Sequence, residues 1–140
     1  MLVDLIIYNK IVPAVNQTET HLYCQRRAEH VWENKYGVAH QAYSPLGQGK
    51  ADEMFREKSV CDIAAKYGKT PAQILLHYLI QNNVSAIPKS SRPERIAENI
   101  DVFDFELNDK EMSALEALDR KIPLIGTPES PELVEKASKW

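Results

Sequence analysis

The 140-residue sequence predicts an α/β fold built on a short parallel sheet, and three observations carry that expectation. Three β-rich runs, residues 11–16, 38–43 and 84–87, alternate with segments of helical periodicity. The segments between them are long enough for the helical crossovers that parallel strands require. Helix-stopping residues (Gly37, Gly68 and the pair Asn82-Asn83) punctuate the alternation where each helical pattern ends.

Taken in order, residues 2–8 (LVDLIIY) are apolar with no cap before them and read as the tail of a helix. Residues 11–16 (IVPAVN) read as the first strand, with Pro13 near its start, where proline is tolerated. A helix is expected over 25–36, with Ala28, Val31 and Trp32 on its apolar face. The second strand, 38–43, runs into the turn-rich Ser44-Pro45-Leu46-Gly47-Gln48-Gly49. One helix is expected over 52–67, burying Met54, Phe55, Cys61, Ala64 and Ala65. Thr70-Pro71-Ala72-Gln73 is a capping box with proline at the first helical position, and Ile74, Leu75, Tyr78 and Leu79 follow as an apolar face. After the third strand, a helix is expected over 92–102. Asn108 with Glu111 then caps a last helix that buries Met112, Leu115 and Leu118. Residues 121–140, with Pro123, Gly126, Pro128 and Pro131, read as loop with one short helix after Ser130.

Composition bounds the function. With 44% hydrophobic and 26% charged residues the chain suits one soluble domain. A net charge of −3 argues against a general nucleic-acid or membrane-surface binder. No apolar run approaches the ~18 residues of a membrane span and no leader pattern is visible, so a cytoplasmic location is expected. Cys24 and Cys61 have no metal-type spacing and are expected as free thiols. His21, His30, His40 and His77 form no H-x-x-x-H pair, so no metal site is expected.

The most informative stretch is Ile87-Pro88-Lys89-Ser90-Ser91-Arg92-Pro93-Glu94-Arg95-Ile96-Ala97-Glu98-Asn99. It reads as a strand end, a turn and a helix start, with Ser91 and Glu94 at capping-box spacing. A helix N-terminus carries partial positive charge and usually attracts acids. Here Lys89, Arg92 and Arg95 crowd it, which is unfavourable unless an anion sits among the cations, the free N–H groups and the Ser90 and Ser91 hydroxyls. A phosphate-class site is one reading; a basic but solvated helix start is the other. The acidic net charge and the preceding strand argue against a DNA-binding helix-turn-helix. Three parallel strands also make a poor closed domain, with two open edges and an uncovered face that favour self-association.

Several motifs together resemble the aldo-keto reductase family. These are Pro13-Ala14-Val15-Asn16-Gln17, Ala42-Tyr43-Ser44-Pro45-Leu46-Gly47, Tyr67-Gly68-Lys69-Thr70-Pro71-Ala72-Gln73, Ile87-Pro88-Lys89-Ser90, Pro93 to Asn99, and Val102-Phe103-Asp104-Phe105-Glu106-Leu107. They stand in the family's order and spacing over residues 1–119, with 120–140 as a variable tail. The resemblance implies a partial (β/α)8 TIM barrel, covering strands six to eight, their helices and a C-terminal helix. It corresponds to the C-terminal half of a fold that reduces carbonyls with NADPH. Such barrels carry their sites at the strand C-terminal ends, often with a phosphate site after strands seven and eight.

The resemblance further implies roles for single residues. Gln17, ending the sixth strand, would hydrogen-bond the nicotinamide carboxamide, and Tyr43, ending the seventh, would stack on the ring. Ser44, Leu46 and Gln48 would line the pyrophosphate path, although the family often has Ser in place of Gln48. Lys89, Ser90, Arg92 and Arg95 would hold the 2′-phosphate of NADP(H), and Glu98 and Asn99 the adenine. His21 and Tyr23 are expected to be structural. The family's proton-donating Tyr, with its supporting Asp, Lys and His, comes from the first half of the barrel. No residue of this chain takes that role, so no catalytic residue is assigned and the chain alone is expected to be inactive. The implied partners are a nicotinamide nucleotide and either a second copy of the chain or the missing N-terminal half.

Overall fold

The computed structural model describes residues 2–49 and 51–126, together with Pro131 and Glu135. The elements are α1 (Leu2–Tyr8), β1 (Val15–Glu19), α2 (Arg27–Tyr36), β2 (Ala39–Tyr43), α3 (Ala51–Phe55), α4 (Lys58–Tyr67), α5 (Pro71–Gln81), β3 (Val84–Ala86), α6 (Pro93–Ile100) and α7 (Asp109–Glu116). The strands form one parallel sheet in the order β1-β2-β3. Val15 pairs with Ala39 and Glu19 with Tyr43, while His40 pairs with Val84 and Ala42 with Ala86. The short helix expected after Ser130 lies, apart from Pro131 and Glu135, outside the described residues.

Strand alternation gives the sheet two unlike faces. Asn16, Thr18, His40, Ala42 and Val84 face the side covered by α2 and α5, where Ala42, Met54, Val60, Ile74, Leu75 and Leu79 form the core. The opposite face is open. It carries Gln17, Gln41 and Ser85, and Gln17 Nε2 donates to Gln41 Oε1 at 2.5 Å. This uncovered face is polar along its middle. Exposed apolar side chains stand elsewhere, on α1 (Ile7, Tyr8), on α2 (Val31, Trp32) and on α6 (Ile96, Ile100) with Phe103 after it.

Four features differ from expectation. The first strand is Val15–Glu19, not 11–16, because Ile11 and Val12 stay exposed while the polar Thr18 and Glu19 find partners inside. Gln17 is thus mid-strand rather than at the strand end. On α2 the expected apolar face is inverted: Ala28, Val31 and Trp32 are exposed and Glu33 is the buried residue. The helix expected over 52–67 is two helices. Glu57 between them is extended and receives hydrogen bonds from Tyr23 Oη (2.8 Å) and Arg120 (3.0 Å). Within that stretch Met54 and Ala64 are buried, Phe55 is half-buried, and Cys61 and Ala65 are exposed.

The fourth difference lies at α6. Its N-cap is Arg92, with φ −103° and ψ 122°, and no side chain caps it. The residue before a proline is driven out of the helical region, so Pro93 at the first helical position fixes the start one residue past Ser91. The Ser91–Glu94 capping box does not form; Ser90 Oγ accepts the Arg92 N–H at 3.2 Å instead. The boxes at Thr70/Gln73 and Asn108/Glu111 both form as expected.

One device was not expected. Gln73, His77 and Gln81 lie at i, i+4 and i+8 on α5, so they share one helix face. Their side chains hold the irregular chain between α6 and α7. Gln73 Nε2 donates to the Asp101 carbonyl (2.7 Å), His77 Nδ1 to that of Val102 (2.6 Å), and Gln81 Nε2 to that of Leu107 (2.8 Å). This stripe fixes where α6 emerges, and with it the basic stretch.

Candidate functional site

The C-terminal ends of β2 and β3 open onto two loops. After β2, Ser44 takes a left-handed φ of 52° and Gly47 one of 76°, turning the chain sharply; the Gly47 N–H returns to the Ser44 carbonyl at 2.9 Å. Ser44 Oγ donates to Gln48 Oε1 at 2.9 Å. After β3, Pro88 to Arg92 carry the chain to α6 with Lys89 exposed and Ser90 half-buried.

Between these loops, the end of α3 and the start of α5 lies a cavity of about 240 Å³. Six residues expected in a nucleotide site line it: Leu46, Lys89, Ser90, Arg95, Glu98 and Asn99. Arg92, the exposed N-cap, does not line it, and Gln17, Tyr43 and Ser44 lie apart from it on the strands and first loop. Eight of the candidates thus fall into two zones, a basic pocket by α6 and Gln17 with Tyr43 on the open face of the sheet, while Ser44 and Gln48 stand on the loop after β2 and Arg92 outside the pocket.

Two cations, Lys89 and Arg95, line the pocket against a single acid, Glu98. Among the described residues, Lys89, Arg92 and Arg95 form no ion pair, whereas Lys69 and Arg120 each meet two carboxylates. Glu98, the acid lining the same pocket, accepts a short hydrogen bond from Thr70 Oγ1. Two cations without an ion pair and the Ser90 hydroxyl present positive charge and donors to one small space. Thr70, Pro71 and Phe55 line it too. Sequence reasoning gave them only structural roles, because the capping box already accounts for Thr70 and Pro71.

Tyr43 is half-buried at the end of β2, opposite Glu19. Burial first, then the Glu19 charge, pushes its phenol above the ordinary value, so it stays neutral and offers a flat apolar ring. His21 and Tyr23 are buried, as structural residues are. His21 Nε2–H donates to Glu19 Oε1 (3.1 Å) and its Nδ1 accepts the Tyr23 N–H (3.2 Å). Cys24 and Cys61 are both free thiols, one buried and one exposed. No described helix is long and apolar enough to cross a membrane.

Comparison with known proteins gives this geometry a context. The family model for the aldo/keto reductase family matches residues 6–120. Aldose reductase B of Dictyostelium discoideum is 42% identical over 121 residues, covering 86% of this chain and 39% of that protein. The crystal structure of MGS-M4, an aldo-keto reductase from a Medee basin deep-sea metagenome library, superposes with a TM-score of 0.89 at 33% identity. It covers 92% of this chain and 47% of its own. A variant of Gox0644 crystallised with NADPH has a TM-score of 0.82 at 36% identity, over 90% of this chain and 45% of that one. The chain spans about two fifths of the length of the curated relatives it matches, 37% to 40% in the first three. The chain belongs to the aldo/keto reductase family.

Proposed function

We propose that this chain is the nucleotide-holding part of an NADP(H)-dependent oxidoreductase barrel, supplying its sixth to eighth strands. The observation that carries the reading is the pocket in which Lys89 and Arg95 stand unpaired beside Ser90 and the start of α6. A phosphate monoester is the anion such a site suits: a guanidinium binds it bidentately, an ammonium adds a point charge, and hydroxyl and N–H groups complete the shell. A 2′-phosphate is what separates NADP from NAD, so a site specialised for it selects the cofactor. NADPH bound to a relative of this fold supports the same assignment. Arg92 stands at the rim, where it would reach the phosphate from outside. Glu98 and Asn99, one turn further along α6, would meet the adenine, and Leu46 would line the pyrophosphate path. Ser44 would border the pyrophosphate, Tyr43 would stack on the nicotinamide, and Gln17 would bind its carboxamide.

Hydride transfer to a carbonyl also needs an acid placed at the carbonyl oxygen. The two tyrosines nearest that end of the sheet do not fill the role: Tyr43 is the ring platform, and Tyr23 is buried and bonded to Glu57. The reading therefore assigns cofactor binding to this chain and proton donation to the strands that complete the barrel.

The test is titration of the purified chain with NADPH and NADH, followed by nicotinamide fluorescence. The expected result is tighter binding of NADPH, weakened about tenfold to a hundredfold by Arg95→Ala, since hydrogen bonds to charged groups contribute roughly 1.5–3 kcal/mol each. NADH binding should be unchanged by the same substitution. Equal affinity for the two nucleotides would contradict the assignment.

A second reading rests on a different observation. An apolar groove of about 650 Å³ runs between α5 and α6, lined by Leu76, Ile80, Ile96, Ile100 and Phe103. α6 buries none of its residues. Surface of that kind marks an interface, and it would be covered by the rest of a barrel or by a second copy of this chain.

A further inference from the structure

On the helix-covered side of the sheet, away from the nucleotide pocket, α2 and β2 bring together three side chains that the proposed function does not use. His30 and Glu33 are one turn apart on α2, and His40 is the second residue of β2. One ring nitrogen from each histidine and one carboxylate oxygen lie within 4.8 Å of one another. We propose that His30, Glu33 and His40 form a binding site for a zinc-class divalent cation that pins α2 to the sheet.

The donor set fits such an ion: two imidazoles and a carboxylate suit zinc and its neighbours, and three protein ligands leave one position for water. His40 Nδ1 and Glu33 Oε2 are 2.7 Å apart and share a proton. Arms of about 2.0–2.1 Å in a tetrahedron place ligand atoms roughly 3.3 Å apart, so this pair opens slightly and His30 closes in. When the ion takes Nδ1, the proton there passes to Nε2, where Thr20 Oγ1, at 2.7 Å, accepts it. The other carboxylate oxygen of Glu33 is already held by Asn16 Nδ2 at 2.6 Å. Both ligands therefore have the outer hydrogen bonds that orient metal-binding histidines and carboxylates.

His30 is the residue that a purely structural network leaves unexplained. Its ring stacks 4.2 Å from that of His40, and its Nε2 is buried with no hydrogen-bond partner. Buried polar atoms are rarely left so. His77, the other histidine in that condition, packs on Phe105 and belongs to no such cluster. His30 also borders a cavity of about 140 Å³, lined with it by Gln25, Tyr78 and Asn82. Arg27, the cation lining that cavity, is engaged by Glu116. His-x-x-Glu followed by a histidine on the next strand was the signal in the sequence, hidden because only H-x-x-x-H spacing suggests itself there.

The test is titration of the chelator-treated chain with Co²⁺, a spectroscopic stand-in for Zn²⁺. The expected result is one equivalent bound with the visible absorption of a tetrahedral site, chased by Zn²⁺, and a rise in thermal midpoint on adding Zn²⁺. His30→Phe keeps the Glu33–His40–Thr20 hydrogen bonds and should abolish the absorption while the far-UV spectrum stays native. Should that variant fold poorly, Asn16→Ser, which loosens only the outer hydrogen bond, should weaken Co²⁺ about tenfold. Cys61→Ser, at the exposed thiol, should change nothing. No tetrahedral absorption, absorption that survives in folded His30→Phe or is untouched in Asn16→Ser, or absorption lost in Cys61→Ser would overturn the proposal.

Discussion

At the scale of single residues, charge and burial explain most of what is unusual. Lys89 and Arg95 keep their charges unpaired at one small cavity, which costs little while water solvates them and becomes binding energy when an anion displaces that water. His21 shows the opposite economy. It is fully buried and satisfied as the neutral ring, donating through Nε2 and accepting through Nδ1. Burial holds its pKa below the ordinary 6.5, outweighing the nearby Glu19. As pH falls through 6.5 the unfolded chain takes up a proton that the folded one refuses, so stability present above that pH is lost below it. Urea unfolding from pH 8 to pH 5 should show a falling midpoint below about 6.5, and a shallower fall in His21→Asn. A flat profile would mean that His21 is not held neutral. Glu19 lies only two residues away in sequence, but the burial of the ring and the Leu124 and Ile125 amides on the Glu19 carboxylate exist only in the folded chain.

At the scale of elements, what was legible in the sequence was what is settled locally. The caps at Thr70 and Asn108 lie within four residues of the groups they satisfy, and both formed. The Ser91 pattern looked equivalent and failed because Pro93 excludes Arg92 from the helical region, a local rule that outranks the motif. Asn108→Ala should therefore cost about 1 kcal/mol in chemical unfolding, while Ser91→Ala stays within about 0.5 kcal/mol. Equal losses would show that Ser91 caps α6 after all. The first strand was misplaced for a non-local reason. Ile11 and Val12 look like strand and lie exposed, whereas Thr18 and Glu19, beyond the expected strand, are held by His40 and His21. The basic pocket was legible by charge alone. Its walls at Phe55 and Thr70, contributed by other elements, were not.

At the scale of the whole molecule, the sheet has an open polar face, two open edges and an under-packed helix. Ile96, Ile100 and Phe103 are 54%, 69% and 68% exposed beside the groove between α5 and α6. Burying surface of this kind is worth roughly 25 cal/mol per Å², so the chain should associate when nothing else covers it. Sedimentation over a range of concentrations should show reversible self-association, and Ile100→Glu with Phe103→Glu should shift it towards monomer. A wild-type chain monomeric throughout would rule out the second copy as the cover of this groove. The relatives point to what else could cover it, since their chains extend well beyond the region matched here.

The most economical probe of nucleotide binding lacks the nicotinamide altogether. Calorimetric titration with adenosine 2′,5′-bisphosphate, set against 5′-AMP, isolates the contribution of the 2′-phosphate. Binding of the bisphosphate at least tenfold tighter than of 5′-AMP, with the advantage removed by Lys89→Ala combined with Arg95→Ala, is the predicted result. Equal binding of the two ligands, or an advantage that survives the double substitution, would contradict the account.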